Sequence, residues 1–411
     1  MRNGTAAVPV GSLDLKRIKR IGNDLNDLFA EINAIFPGRH GLTEQLKYAL
    51  LTRHNLMMFG PAGTGKTDLV NTLFGQIKNA QKTSFALTKF SSEATIYGIP
   101  NMKIMNEEGR LHIDTSDPDS IFQSHFVELD EFLDANPPVL RSLLGLLNER
   151  VFKRGRNIAN FKLHSAVAST NKDPLREVSG NDELFAVVDR FLFQYRVSYL
   201  TTKEDRMRMY GKYVNGAVPT KSIEYEDLEY ISSVVLNANQ ITNPLILETY
   251  DDIIEAYSKQ NAKVIITDRR KCKLIQLIEA NALLYGRFEV HPEDILAVKW
   301  GLCYGDDLTA HQTFDNVAKP LIEKANELLG QDIDKLQVEY LVKLEETLNQ
   351  LMAQPIDQNT YFKLVGGLNQ LKEDTQTVKP ELASTKARLN QLNANSAQFE
   401  QKLLEFSRTV K

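Results

Sequence analysis

The sequence predicts an α/β core that binds a nucleotide, followed by an all-α domain and a helical C-terminal region. Three observations carry this reading. Residues 55–67, Asn-Leu-Met-Met-Phe-Gly-Pro-Ala-Gly-Thr-Gly-Lys-Thr, set a short apolar strand against a loop of the form G-x-x-x-x-G-K-[ST]. Further on, His125-Phe126-Val127-Glu128-Leu129-Asp130-Glu131 reads as a strand that ends in two acids. Beyond residue 222 the apolar residues recur at helical spacing, and over 315–411 they do so beside faces rich in Glu, Gln, Lys and Asn.

Taken in order, residues 1–15 read as a flexible N-terminal tail. Ile21, Leu25, Leu28, Ile32 and Ile35 mark one face of a helix from Ile18 to Ile35, and Pro37-Gly38 ends it. Leu42 to Leu51 form a second helix that leads into the strand at Leu56–Phe59. The helix after the loop turns Leu69, Val70, Leu73 and Phe74 to one side. Ser84–Lys89 predicts another strand, and Ile96–Leu111 a hairpin turning at Asn106–Gly109. Pro138–Glu149 predicts an amphipathic helix with Leu140, Leu143, Leu144 and Leu147 inward. Residues 150–162 predict a second hairpin with Gly155 at its tip; Arg150, Lys153, Arg154, Arg156 and Lys162 make it basic, and it holds no acid. Ser165–Thr170 is a strand of small residues that ends at Asn171, and a strand over 191–200 closes the core, residues 16–200. The polar stretch 201–222 reads as a linker to a helical domain over 223–310, in which Thr267 suits the N-cap of a helix bearing Leu274, Ile275, Ile278, Ala282 and Leu283. In residues 315–411, Leu341, Leu344, Leu348 and Leu351 step by three and four, as do Leu389, Leu392, Ser396, Phe399, Leu403 and Phe406. Pro355 and Pro380 divide this region. It predicts helices paired as an antiparallel coiled-coil arm, with a plain helical bundle as the alternative.

The loop carries the chemistry. The nucleotide-binding segment is Gly60, Pro61, Ala62, Gly63, Thr64, Gly65, Lys66, Thr67 and Asp68. Its glycines let successive backbone N–H groups point inward around phosphate oxygens. The following helix N-terminus adds partial positive charge there. Lys66 would reach the β- and γ-phosphates, and the Thr67 hydroxyl would ligate Mg²⁺. Asp130 would hold the Mg²⁺ shell, and Glu131 would polarise the attacking water. Asn171, at a strand end, would sit beside the γ-phosphate, although a lone Asn is also a common cap. Arg190 lies among apolar residues, so something must pair it or hold it at a surface, and an ion pair with neighbouring Asp189 is the plain alternative to a catalytic role. Glu128 is out of place in an apolar strand unless it is paired or at an edge.

Composition bounds the rest. The formal net charge of −4 gives no general reason to bind nucleic acid or anionic membrane. Cys272 and Cys303 do not form a Cys-x-x-Cys pair, which argues against a zinc site or disulfide framework and fits a reducing compartment. No apolar run reaches the length of a membrane span, and the N-terminus lacks the apolar core of a secretory signal.

The order phosphate loop, Asp-Glu strand, Asn-ended strand, apolar-flanked Arg and helix-opening Arg resembles the AAA+ ATPases. Closer details resemble the MoxR family, in particular its RavA-like branch. They are Phe90-Ser91-Ser92-Glu93 with Tyr97-Gly98, Gly109-Arg110, Leu147-Asn148-Glu149-Arg150-Val151-Phe152, Asp189-Arg190-Phe191, and Thr267-Asp268-Arg269-Arg270 with Ala282 to Arg287. The resemblance covers roughly residues 20–305. It implies a parallel-sheet AAA+ core with an α-helical lid, ATP and Mg²⁺ as cofactors, and the two hairpins as inserts of the helix-2-insert clade. It implies that Asn171 is the first sensor, Arg190 an arginine finger given to the neighbouring subunit, and Arg269 the second sensor, with Arg270 a substitute. It also implies a cytoplasmic homo-oligomer, a hexameric ring that remodels other proteins, often with a partner bearing a von Willebrand factor A domain. Two other readings stay open at this point: a nucleic-acid motor using the basic hairpin, and a non-enzymatic nucleotide-gated scaffold.

Overall fold

Strands made of unbroken apolar runs belong inside a parallel sheet covered on both faces. A computed structural model of the chain puts them there. It describes residues 13–100, 102, 104, 106, 113–154, 157–237, 240–261, 266–303, 307–357, 360–376, 378 and 383–409. In chain order the strands are β1 (Asn55–Phe59), β2 (Ile77–Lys78), β3 (Lys82–Ala86), β4 (Phe126–Asp130), β5 (Val151–Arg154), β6 (Asn157–Asn160), β7 (Ser165–Thr170), β8 (Phe191–Arg196) and β9 (Ile223–Glu224). Five of them form one parallel sheet in the order β3-β4-β7-β1-β8. β1 and β7 are buried throughout, whereas edge strand β3 alternates inward Thr83 and Phe85 with exposed Lys82, Ser84 and Ala86. Ala166 and Ala168 of β7 share a core with Met57, Leu129, Phe132 and Phe191. Phe132 and Phe191 meet edge to face at 5.2 Å. Burying each such ring stabilises the fold by about 1.5–3 kcal/mol.

The sequence places most elements within a turn of their observed ends. The first helix is Leu15–Ile35, so the expected tail already ends in helix; Asp14 caps it by accepting the Arg17 N–H. Ile96 and Tyr97 close a short helix, Glu93–Tyr97, instead of starting a hairpin strand. Residues 107–112 of that expected hairpin, with most of its turn, lie outside the described residues. The helix expected over 138–149 runs as an α-helix from Pro137 to Leu144 and then widens to a π-turn, Gly145–Glu149. Gly145 permits this, because a Cβ there would lie 2.6 Å from the Val151 carbonyl oxygen. β5 and β6 form the expected basic hairpin, with its tip outside the described residues. The stretch 201–222 is not all linker: it holds a helix, Lys203–Asn215, capped by Thr202 and closed by left-handed Gly216.

The helix Asp268–Leu284 packs close to the N-terminal helix. A Cβ on Gly22 would stand 2.7 Å from the Leu284 carbonyl oxygen. A polar chain ties the same region to the helix His40–Thr52: Tyr48 donates to Asn281 at 2.6 Å, Asn281 to Asp294 at 2.7 Å, and Arg287 pairs with Asp294 at 2.8 Å.

The chain divides into two compact units at Leu321 and Ile322. The break falls within the helix Leu308–Met352, which accommodates Pro320. In the second unit that helix joins two more, Tyr361–Gln376 and Ala383–Thr409. Leu341, Leu344 and Leu348 share one core with Leu364, Leu368 and Leu371 and with Leu392, Phe399 and Leu403. Three helices therefore close this core. Pro380 lies outside the described residues. No described helix is long and apolar enough to cross a membrane.

Candidate functional site

In an open parallel sheet, ligands bind at the carboxyl ends of the strands. The predicted site residues gather at that edge. β1 runs into Gly60, β4 into Asp130 and Glu131, and β7 into Asn171. Gly60 adopts φ 140°, and a Cβ there would meet the Val197 carbonyl oxygen at 2.2 Å. Only glycine lets the chain turn out of β1 beside β8 at that point. Gly63 and Gly65 also take positive φ, and the helix Lys66–Gly75 starts directly behind them.

Lys66 folds back into the loop. Its ammonium donates to the Gly60 and Pro61 carbonyls at 2.8 and 2.9 Å and to Asn171 Oδ1 at 3.3 Å. Burial lowers its pKa, while Asp130 and Glu131 oppose that shift. Asn171 uses its other end on Glu131, donating to the two carboxylate oxygens at 2.8 and 3.2 Å. One amide thus bridges the lysine and the acid. Asp130 is fixed by the Ser169 hydroxyl and by the Glu131 N–H at 3.0 Å. Glu131 sits in the left-handed region at φ 52°, a strained backbone for a residue with a side chain. Burial raises its pKa first, then Asp134 and Asp130; Lys66 pulls the other way. Thr67 and Asp68 are exposed at the helix start, and Asp68 pairs with Lys212 at 2.7 Å.

This geometry holds an anion cradle of backbone and lysine beside two carboxylates of different character. Asp130 accepts two hydrogen bonds, while Glu131 is held toward its protonated form. The exposed Thr67 hydroxyl and Asp130 are hard oxygen donors, the type that suits Mg²⁺ together with phosphate oxygens. No cluster of three or more metal-ligating side chains exists among the described residues, so protein groups alone do not form a cage.

Residues 23–231 match the family described as the MoxR domain in the MoxR-vWA-beta-propeller ternary systems, and residues 245–310 match an AAA lid domain. The chain belongs to the MoxR family of AAA+ ATPases. Two uncharacterized proteins of Methanocaldococcus jannaschii are similar to it. One is 25% identical over 321 residues, 78% of this chain and 80% of its own length. The other is 25% identical over 272 residues, 66% of this chain and 69% of its own. A crystal structure of a candidate ATPase from Cytophaga hutchinsonii shares the fold at a TM-score of 0.54 and 18% identity, covering 74% of this chain and 96% of that one. As a MoxR-family AAA+ ATPase the chain is a nucleotide-binding protein.

The two arginines of this MoxR protein meet elsewhere. Arg190 and Arg269 both face Asp189, with nitrogen–oxygen distances of 3.7 and 3.8 Å, and the Thr267 hydroxyl donates to Asp189 at 3.4 Å. Arg190 also donates to the Ala186 carbonyl at 3.1 Å. Burial, then neighbouring Arg269, lowers its pKa against the pull of Asp189. Val187, Val188 and Phe191 anchor the chain around it, as their apolar run predicts. Lys273 belongs to the same cationic group, and burial brings its pKa down to about 8. None of the polar contacts of Arg190 or Arg269 reaches Lys66, Asp130, Glu131 or Asn171. Arg270 instead donates to the Leu192 and Gly301 carbonyls at 2.9 and 2.6 Å, tying the helical region to β8.

Of the described basic residues in the hairpin only Arg150 turns inward; Lys153, Arg154 and Lys162 are exposed. Arg150 donates to the Leu163 and His164 carbonyls, Lys153 pairs with Glu149, and Arg154 pairs with Glu93. Sequence reasoning missed Ser169, which fixes Asp130, and Arg39, whose guanidinium donates to the Thr64 carbonyl at 3.3 Å. Ser169 had a signal: it lies two positions before Asn171, in the strand that runs into that residue. Arg39 had none, because only folding brings its helix end to the loop.

Proposed function

We propose that this chain is the hydrolytic subunit of a homo-oligomeric ring that uses Mg²⁺ and ATP to remodel a partner protein. One observation carries the reading. The cations that a transferring phosphoryl group needs, Arg190 and Arg269, are turned to Asp189 and make no contact with their own chain's loop. They are available to the nucleotide of a neighbouring copy. In this reading Lys66 and the loop N–H groups would hold the phosphates, and Thr67 and Asp130 would hold the metal. Mg²⁺ would offset phosphate charge. Glu131, oriented by Asn171, takes a proton from water, Arg190 of the next copy meets the charge that develops, and Arg269 serves as the second sensor. A finger of this kind contributes roughly 10³–10⁵ in rate. The matched family is described in systems with a von Willebrand A protein and a β-propeller, which supports a partner of the first kind. The free thiols of Cys272 and Cys303 fit the cytoplasm.

The test mixes two inactive proteins. Arg190→Ala keeps an intact loop and offers no finger; Glu131→Gln has a dead site and offers a finger. Each alone should turn over ATP at a small fraction of the wild-type rate. Mixed with verified subunit exchange, they should regain part of it. No recovery, or full activity of Arg190→Ala alone, removes the finger from the mechanism.

A further inference from the structure

No packing restrains the two glycines at the centre of the phosphate loop. Gly63 and Gly65 take φ 74° and 77°, and a Cβ built on either would meet no atom within 4 Å. Glycine passes readily between regions of φ, so nothing local stops the peptide before each from turning over. The N–H groups of these peptides serve an anion only when they point into the loop. In a planar trans peptide the carbonyl and the N–H point opposite ways. The Ala62 and Thr64 carbonyls therefore fix where the Gly63 and Gly65 N–H groups aim. Side chains from elsewhere in the fold grip both carbonyls. The Tyr199 hydroxyl, beyond β8, donates to the Ala62 carbonyl at 3.1 Å. The Arg39 guanidinium, at the start of the helix His40–Thr52, donates to the Thr64 and Gly38 carbonyls, each at 3.3 Å. Other loop carbonyls are taken from within: Lys66 donates to those of Gly60 and Pro61, and the Leu69 N–H to that of Gly65.

Arg39 also brings charge. It is only 9% exposed and makes no ion pair among the described residues; Asp205 acts on it from beyond ion-pair distance. Arg39 and Lys66 repel each other. A buried cation without a counter-ion is costly, and a second cation nearby raises that cost. An anion seated in the loop would offset both.

We propose that Arg39 and Tyr199 are positioning residues for the nucleotide. They hold the Ala62 and Thr64 peptides with the following N–H groups turned to the phosphates, and Arg39 adds a buried cation beside Lys66. The inference rests on the reading above that the loop N–H groups hold the phosphates.

The test uses the full chain. Tyr199→Phe loses only a hydroxyl, from a residue that is 62% exposed. It should raise the Kd for a fluorescent ADP analogue and the KM for ATP about three- to tenfold, the contribution of one hydrogen bond. Its kcat should stay within about twofold, and its melting temperature without nucleotide should not move. Arg39→Ala should raise Kd and KM about tenfold or more, because a charged donor is lost. Arg39→Lys keeps the charge and a donor and should recover part of that loss. Wild-type affinity in Tyr199→Phe, a loss confined to kcat, or an Arg39→Lys no better than Arg39→Ala overturns the proposal. If Arg39→Ala melts below wild type, Tyr199→Phe decides alone. Lys66→Ala separates the two ideas. If it loses ADP binding while Tyr199→Phe and Arg39→Ala keep theirs, this proposal fails and the loop reading stands. If Lys66→Ala keeps ADP binding, both fail.

Discussion

Glu131 shows how much a carboxylate's role depends on its surroundings. Its acid is raised by burial, by Asp134 and by Asp130, while Asn171 holds its oxygens. It must be ionised to take a proton, so turnover should rise with pH along a limb set above the ordinary glutamate value of 4.5. Asp134→Asn removes one of the raising charges and should move that limb to lower pH in a pH–rate profile. A limb that stays put would belong to another group. Glu128 makes the opposite case, a carboxyl with no evident task. It is only 4% exposed; one oxygen accepts from Ser84 at 3.2 Å, and the other has no hydrogen-bond partner. Burial raises its pKa. The fold therefore binds this proton more tightly than the unfolded chain does. Its stabilising effect is full below about pH 4.5 and is lost as pH rises through the folded value. Glu128→Gln should be more stable than wild type at pH 8 by about 1–3 kcal/mol. The gap should close by pH 4 in denaturant titrations.

At the scale of elements, small residues decide where helices meet. Gly22 brings the helix Leu15–Ile35 against the end of Asp268–Leu284, with the Leu284 carbonyl where a side chain would go. Gly22→Ala should push the two apart and cost about 1–3 kcal/mol, read as a lower melting temperature. Its nucleotide affinity should change little, because the phosphate loop lies on other elements. The helix Lys203–Asn215 shows the converse. Its caps and acidic first turn make it a helix, but its apolar stripe faces outward, so its packing cannot be read from periodicity.

Over the whole molecule, the division at Leu321 and Ile322 locates the end of the ATPase body. The boundary expected at residue 315 falls short of it. Phe314, Val317 and Ala318 are buried, Phe314 meets Tyr257 at 5.8 Å, and Asp315 pairs with Lys299 at 3.2 Å. A chain cut after residue 330 should melt cooperatively and keep its nucleotide affinity. One cut after residue 314 should melt several degrees lower, because it loses buried Val317 and Ala318 and the Asp315–Lys299 pair. Equal melting of the two would mean that the segment contributes nothing to the body.

By itself the sequence determined the parts whose physics is local. The phosphate loop, the acid-ended strand β4 and the small-residue strand β7 follow from residue type and spacing, and so do the hairpin and the capped helix at Thr267. Each is set by backbone preference and by which face is apolar, over a dozen residues or fewer. The Asn171 bridge between Lys66 and Glu131 was half legible: the sequence placed the residue at a strand end, and sheet order β4-β7-β1 chose its partners. Only the tertiary structure decided that Arg269 joins Arg190 at Asp189, that Arg39 reaches the loop, and that the helix after β8 turns its apolar side to solvent. Arg39 and Arg269 reach partners 25 and 80 positions away in the chain, and no local pattern fixes such distances. They depend on how helices pack across the sheet, which the free energy of the whole core settles at once.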